Sequence, residues 1–201
     1  MYETNEAALY YLYMMADGEV SDGEKKVFNL ICTELKLNEK QMQEIINECE
    51  KTVKQNQTTC IDLLENDANI ISYKKLGSNV SLFGLEHTVG MFGALGLNNQ
   101  RVKRQRAAIV WNLINLGYAD SYFSTDEREI VDFFREEWKI PDALYQEMID
   151  VAETCLALEK HKNWVKKLPE SDYKLEKSKQ IRKDMKFTQE TIKTTIVELL
   201  N

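Results

Sequence analysis

Apolar residues recur through most of this chain at helical rather than alternating spacing. Val27, Phe28, Ile31 and Leu35 fall at i, i+1, i+4 and i+8, and Ile130, Val131, Phe134 and Trp138 repeat that spacing. Each set makes one buried stripe on a helix. The two stripes belong to a longer self-similarity: a shift of 103 residues aligns 15–46 with 118–149 without a gap. The shift pairs Ala16 with Ala119, Asp17 with Asp120, Ser21 with Ser124, Glu24 with Glu127 and Lys25 with Arg128, and apolar positions stay in register as far as Ile45 and Met148. Repetition of this kind marks a supersecondary unit used twice. Each copy is predicted as helix, acidic loop, helix, short break and helix, with repeats near 7–50 and 106–156. The helix ahead of the first loop is predicted from Ala7 to Met15, and its counterpart from about Arg106 to Leu116. Ser21 with Glu24, and Ser124 with Glu127, have the spacing of a capping box, in which hydroxyl and carboxylate satisfy free backbone N–H groups at a helix start. Asn38 and Pro141 occupy the equivalent second break.

Between the repeats, a helix is expected through Cys49 and another from near Thr58. The pattern then changes, and 77–99 holds five of the eight glycines with almost no charge. Leu82 to Leu97 is too short, and with Glu86 and His87 too polar, for a membrane span of about 20 apolar residues. A loosely helical packing segment is expected there, followed by Arg101, Lys103, Arg104 and Arg106 as a solvated basic turn. No phosphate-loop pattern is completed. The carboxyl-terminal part reads as a basic helical extension broken near Pro169, with a closing helix from Thr188 to Leu200 that puts Ile192 and Ile196 on one face. The expected organisation is thus a helical domain over 1–159 and a basic extension over 160–201.

Composition narrows the class. Only 2 Pro and 8 Gly punctuate 201 residues, too little turn chemistry for a protein of many short strands, so an all-α helical bundle of two pseudo-symmetric helix-loop-helix repeats is expected. The net charge of -7 hides a segregation. Residues 1–159 carry 15 Lys or Arg against 27 acids, and residues 160–186 carry ten against four. The acidic body suits cations or basic partners, and no nucleic-acid partner is expected. The four cysteines, at 32, 49, 60 and 155, form no CxxC and join no His cluster, which argues against structural zinc and leaves a hard, oxygen-bound cation as the metal to consider. The first twenty residues lack a basic region before their apolar stretch, so a signal peptide is not expected, the location is expected to be cytoplasmic and the cysteines to be reduced. His87 and His161 stand beside no activatable Ser or Cys, and no enzymatic activity is expected.

Asp17, Glu19 and Ser21 alternate in the first loop, with Glu24 three residues on, and Asp120 and Glu127 repeat part of the set. A hard divalent ion takes six to eight oxygens, and alternate carboxylates in a turn supply several of them. The stretch is shorter than a twelve-residue calcium loop, so it needs the other copy, backbone carbonyls or water to complete a shell. The A-D-G-x-x-S-x-x-E segment at 16–24, its related copy at 119–127 and the helices around them resemble the TerB-like family of tellurite resistance proteins, over roughly residues 5–155. That resemblance implies an all-α bundle, a non-enzymatic stress-resistance role through protein partners in membrane-proximal complexes, and an acidic patch for a divalent cation such as Ca²⁺. Carried over, the metal residues are Asp17, Glu19, Glu24, Asp120 and Glu127. The second copy has Ser121 in place of Gly18 and Tyr122 in place of Glu19, so the first loop should dominate. The alternative is a structural interaction module without metal, its acidic motifs serving as helix caps favoured by the macrodipole. Asp22 and Asp126 read as solvated first-turn acids.

Overall fold

In a computed structural model, residues 3–56 and 97–200 are described, and the regular structure among them is entirely α-helical. The helices are α1 (Glu3–Met14), α2 (Asp22–Glu34), α3 (Glu39–Asn56), α4 (Leu97–Gly117), α5 (Thr125–Glu137), α6 (Asp142–Lys166) and α7 (Asp172–Leu199). The all-α expectation holds. The helix expected near Thr58, the Gly-rich segment as far as residue 96, Cys60 and His87 lie outside the described residues.

The chain forms two compact units, Met1–Trp138 and Lys139–Asn201. In the first, α1 is the axis. Every residue from Ala7 to Met14 is buried, as expected for a helix that is apolar on all sides. It packs against α2, α3 and α4, while α4 also packs against α2 and α5. One buried polar group of this core is paired on both sides: the Tyr10 hydroxyl donates to Glu6 Oε1 at 2.7 Å and accepts from Asn112 Nδ2 at 2.9 Å. Burial, followed by the Glu6 charge, holds the Tyr10 hydroxyl well above its usual range, so it stays a donor. Phe28, Ile31, Ile130, Val131, Phe134 and Trp138 from the two apolar stripes are buried. Cys32 and Cys49 are buried, and burial pushes the Cys32 thiol up to about 12.

The breaks are locally encoded. After α2, Lys36 takes φ 60°, its N–H bonds to the Thr33 carbonyl and that of Leu37 to the Cys32 carbonyl, both at 3.0 Å. Those two bonds define a Schellman termination. Lys139, one 103-residue shift away, has φ 53°. Asn38 and Gln41 exchange side-chain and backbone hydrogen bonds at 3.0 Å to start α3, and Pro141 is the residue preceding α6.

Two expectations need correction. Arg101, Lys103, Arg104 and Arg106 are not a turn, because α4 begins at Leu97 and includes them; Arg and Lys are good helix formers and no Pro or Gly interrupts them before Gly117. The closing helix expected from Thr188 is continuous with the helix beginning at Asp172. A separate start at Thr188 has no breaker ahead of it, whereas Pro169 and the Ser171 cap, which accepts from Lys174 N–H at 3.3 Å, fix the real one. Residue 160 falls within α6, and α6 packs on α7. Among the described residues, no helix is long and apolar enough to cross a membrane.

Candidate functional site

The two acidic loops precede α2 and α5, and their local structures agree in detail. Each begins with an Asp whose side chain folds back on the backbone: Asp17 Oδ1 accepts from Glu19 N–H at 3.0 Å, and Asp120 Oδ1 from Tyr122 N–H at 2.9 Å. Such Asx turns are what short acidic side chains form with the residue two further on. The next residue turns left-handed in both, with Gly18 at φ 88° and Ser121 at φ 75°. Ser121 therefore holds a conformation that glycine adopts without steric penalty. Both capping boxes close. Ser21 N–H donates to Glu24 Oε2 at 2.7 Å while Glu24 N–H donates to Ser21 Oγ at 3.1 Å; the Ser124–Glu127 distances are 2.9 and 3.2 Å.

The loops also touch. Gly23, in the first turn of α2, lies on the backbone of the second loop: a Cβ added there would sit 2.8 Å from the carbonyl carbon of Ala119 and closer still to its oxygen. The residue one shift on is Asp126, so this contact is one-sided, and nothing in the repeat pattern announces it. A second close approach is at Gly117, the last residue of α4, where an added Cβ would come within 2.6 Å of the Phe123 ring and 2.7 Å of the Tyr13 hydroxyl. Phe123 packs there against Tyr118 at 5.1 Å between ring centroids. These two glycines seat the second loop.

That seating gathers charge. Glu24 and Glu127 are 4% and 5% exposed, whereas Asp17, Glu19 and Asp120 are exposed. Burial raises the Glu24 carboxyl above its usual range against the opposing Ser21 hydrogen bonds, and Asp17 and Asp120 raise it further. Burial pushes Glu127 up to about 7, with added repulsion from Glu24 and Asp17. Asp17 and Asp120 thus lie within electrostatic reach of Glu24, and Asp17 and Glu24 within reach of Glu127.

The basic side chain that follows each buried Glu turns elsewhere. Lys25 pairs with the exposed Asp22 at 3.7 Å, and Arg128 Nε donates to the Phe123 carbonyl at 3.3 Å with its guanidinium 4.4 Å over the Phe123 ring. Among the described residues, no Lys, Arg or His forms an ion pair with the five carboxylates. Donor chemistry and charge therefore suit a hard cation. Geometry is less accommodating: among the described residues, no group of three His, Cys, Asp or Glu converges closely enough to hold a metal ion, and one oxygen on each of Asp17, Glu24, Asp120 and Glu127 is engaged by a backbone N–H.

The class defined by this arrangement is a small all-helical bundle that sets two capped acidic loops side by side. Residues 3–150 match the family described as tellurite resistance protein TerB, and the chain belongs to that family. Searches of curated proteins and of solved structures return no significant match.

Proposed function

We propose that the chain is a non-enzymatic TerB module whose paired loops attract a divalent cation, Ca²⁺ or one of similar hardness, and that it acts in tellurite or related stress resistance through protein partners. The supporting observation is a pair of buried carboxylates, Glu24 and Glu127, that repel each other and are raised further by Asp17, with Asp120 also acting on Glu24 and no ion-pair partner among the described residues. Uncompensated buried acids are costly unless something neutralises them. Asp17, Glu24, Asp120 and Glu127 would hold the ion, with Glu19 at the exposed rim, and the cation would supply the missing positive charge.

Calorimetric titration of the metal-free chain with Ca²⁺ tests the reading. Saturable heat is expected, together with a melting temperature that rises in millimolar Ca²⁺, and both should vanish in the E24Q/E127Q double variant. No heat and an unchanged melting temperature would sink the cation assignment. A second reading, an interaction module whose acidic motifs only cap helices, is favoured by the closure of both capping boxes and the lack of a converged three-residue set. It predicts thermal silence toward Ca²⁺, with partner capture unaffected by the same double variant.

A further inference from the structure

The second unit, Lys139–Asn201, carries a surface that the acidic loops do not explain. One side of α7 packs on α6 and buries Ile181, Ile192 and Ile196. On the opposite side, Lys179, Arg182, Lys183 and Lys186 fall at i, i+3, i+4 and i+7, which places them on one face. All four are exposed. Lys186 reaches the exposed Glu190 at 3.7 Å, while Lys179, Arg182 and Lys183 form no ion pair among the described residues.

Apolar side chains interrupt this basic stripe and stand in water. Leu175, four residues before Lys179 on the same face, is 56% exposed, and Phe187, beside Lys183, is 70% exposed. At the end of α6, Trp164 is 52% exposed and stacks against His161 at 5.7 Å between centroids. Phosphate groups account for the cations alone. A phospholipid interface accounts for both sets, because lysine and arginine pair with anionic headgroups while Leu, Phe and Trp enter the headgroup boundary.

We propose that the outer face of α7 docks on an anionic phospholipid membrane surface, with Lys179, Arg182, Lys183 and Lys186 as electrostatic contacts and Phe187 as an apolar anchor. The docking is peripheral and reversible. The inner face of the helix is already taken by α6, so insertion is limited to side chains of the outer face.

Co-sedimentation of the full chain with vesicles of phosphatidylcholine alone, or of phosphatidylcholine with phosphatidylglycerol, provides the test. Binding is expected only with phosphatidylglycerol and should be abolished by molar salt. K179Q/K183Q should weaken it about 30-fold, and F187S, which keeps every charge, roughly tenfold. These positions are exposed, so the variants should melt with the parent protein. Equal binding to neutral vesicles, no effect of K179Q/K183Q, or binding to single- or double-stranded nucleic acid in place of vesicles would each overturn the proposal.

Discussion

Replacing Glu127 with Gln should stabilise the metal-free protein at pH 8 while leaving it nearly unchanged at pH 5. Glu127 is buried, and its carboxyl is pushed from an ordinary 4.5 up to about 7. A folded pKa above the unfolded one means that the native state holds the proton more tightly. The associated stability is fully present below about pH 4.5 and is lost as pH rises through about 7. Complete loss corresponds to about 3 kcal/mol of destabilisation by the charged form. Glutamine is neutral throughout, nearly the same shape, and offers an oxygen to the Ser124 N–H that Glu127 now accepts at 2.9 Å. The gain at pH 8 is therefore about 3 kcal/mol, or an increase in Tm of about 6–12 °C for a chain of this size. Thermal and urea unfolding of E127Q and the parent at both pH values, with chelator present, measures it. A lower Tm for E127Q than for the parent at pH 8 would refute the reasoning, since it would mean that the carboxylate charge stabilises the fold. E127A serves as the contrast: it abolishes the cap and leaves a void, and should be less stable than E127Q at either pH.

Further outcomes follow from the loop geometry and the core. G23A should destabilise by roughly 2 kcal/mol in urea unfolding, because the clash is with the rigid Ala119 backbone, and by separating the loops it should lower the midpoint of a Glu127 carboxyl titration followed by NMR. S121G should raise stability by about 1 kcal/mol by removing a left-handed non-glycine residue, whereas G18A should lower it by a similar amount. Y10F should cost about 1–3 kcal/mol in the same assay, since it removes the buried hydroxyl that donates to Glu6 and accepts from Asn112. A Y10F variant as stable as the parent would show that the buried network is not needed.

Much of the architecture is legible along the chain because it is built from local rules. The apolar stripes of α2 and α5 run at helical spacing, the Ser–Glu pairs close the capping boxes that their spacing implies, and the continuous apolar run in Ala7–Met14 matches a helix buried on all sides. The errors also had local causes. Arg101–Arg106 reads as a solvated turn on charge alone, yet helix propensity with no Pro or Gly to interrupt it carries the helix through, and no breaker stands ahead of Thr188 to start a new one.

The candidate site divides in the same way. Which residues are acidic, which of them cap a helix, and which loop turns at glycine are all set by neighbours within a few positions, and the 103-residue shift shows that two such loops exist. The shift does not show that the loops meet. Gly23 against Ala119, and Gly117 beneath Phe123, are contacts between segments far apart in the chain, and a glycine chosen for close packing looks like any other glycine in a sequence. Burial works likewise. Glu24 and Glu127 occupy the same cap position whether exposed or enclosed, and only the packing of the bundle excludes water from them, brings Asp17 and Asp120 within reach and raises the two carboxyls. The sequence by itself determined the helices, their caps and the inventory of charge, because those depend on short-range chemistry. Tertiary structure alone decided which charges repel one another, because electrostatic coupling depends on distance and solvent exclusion, which sequence separation does not measure.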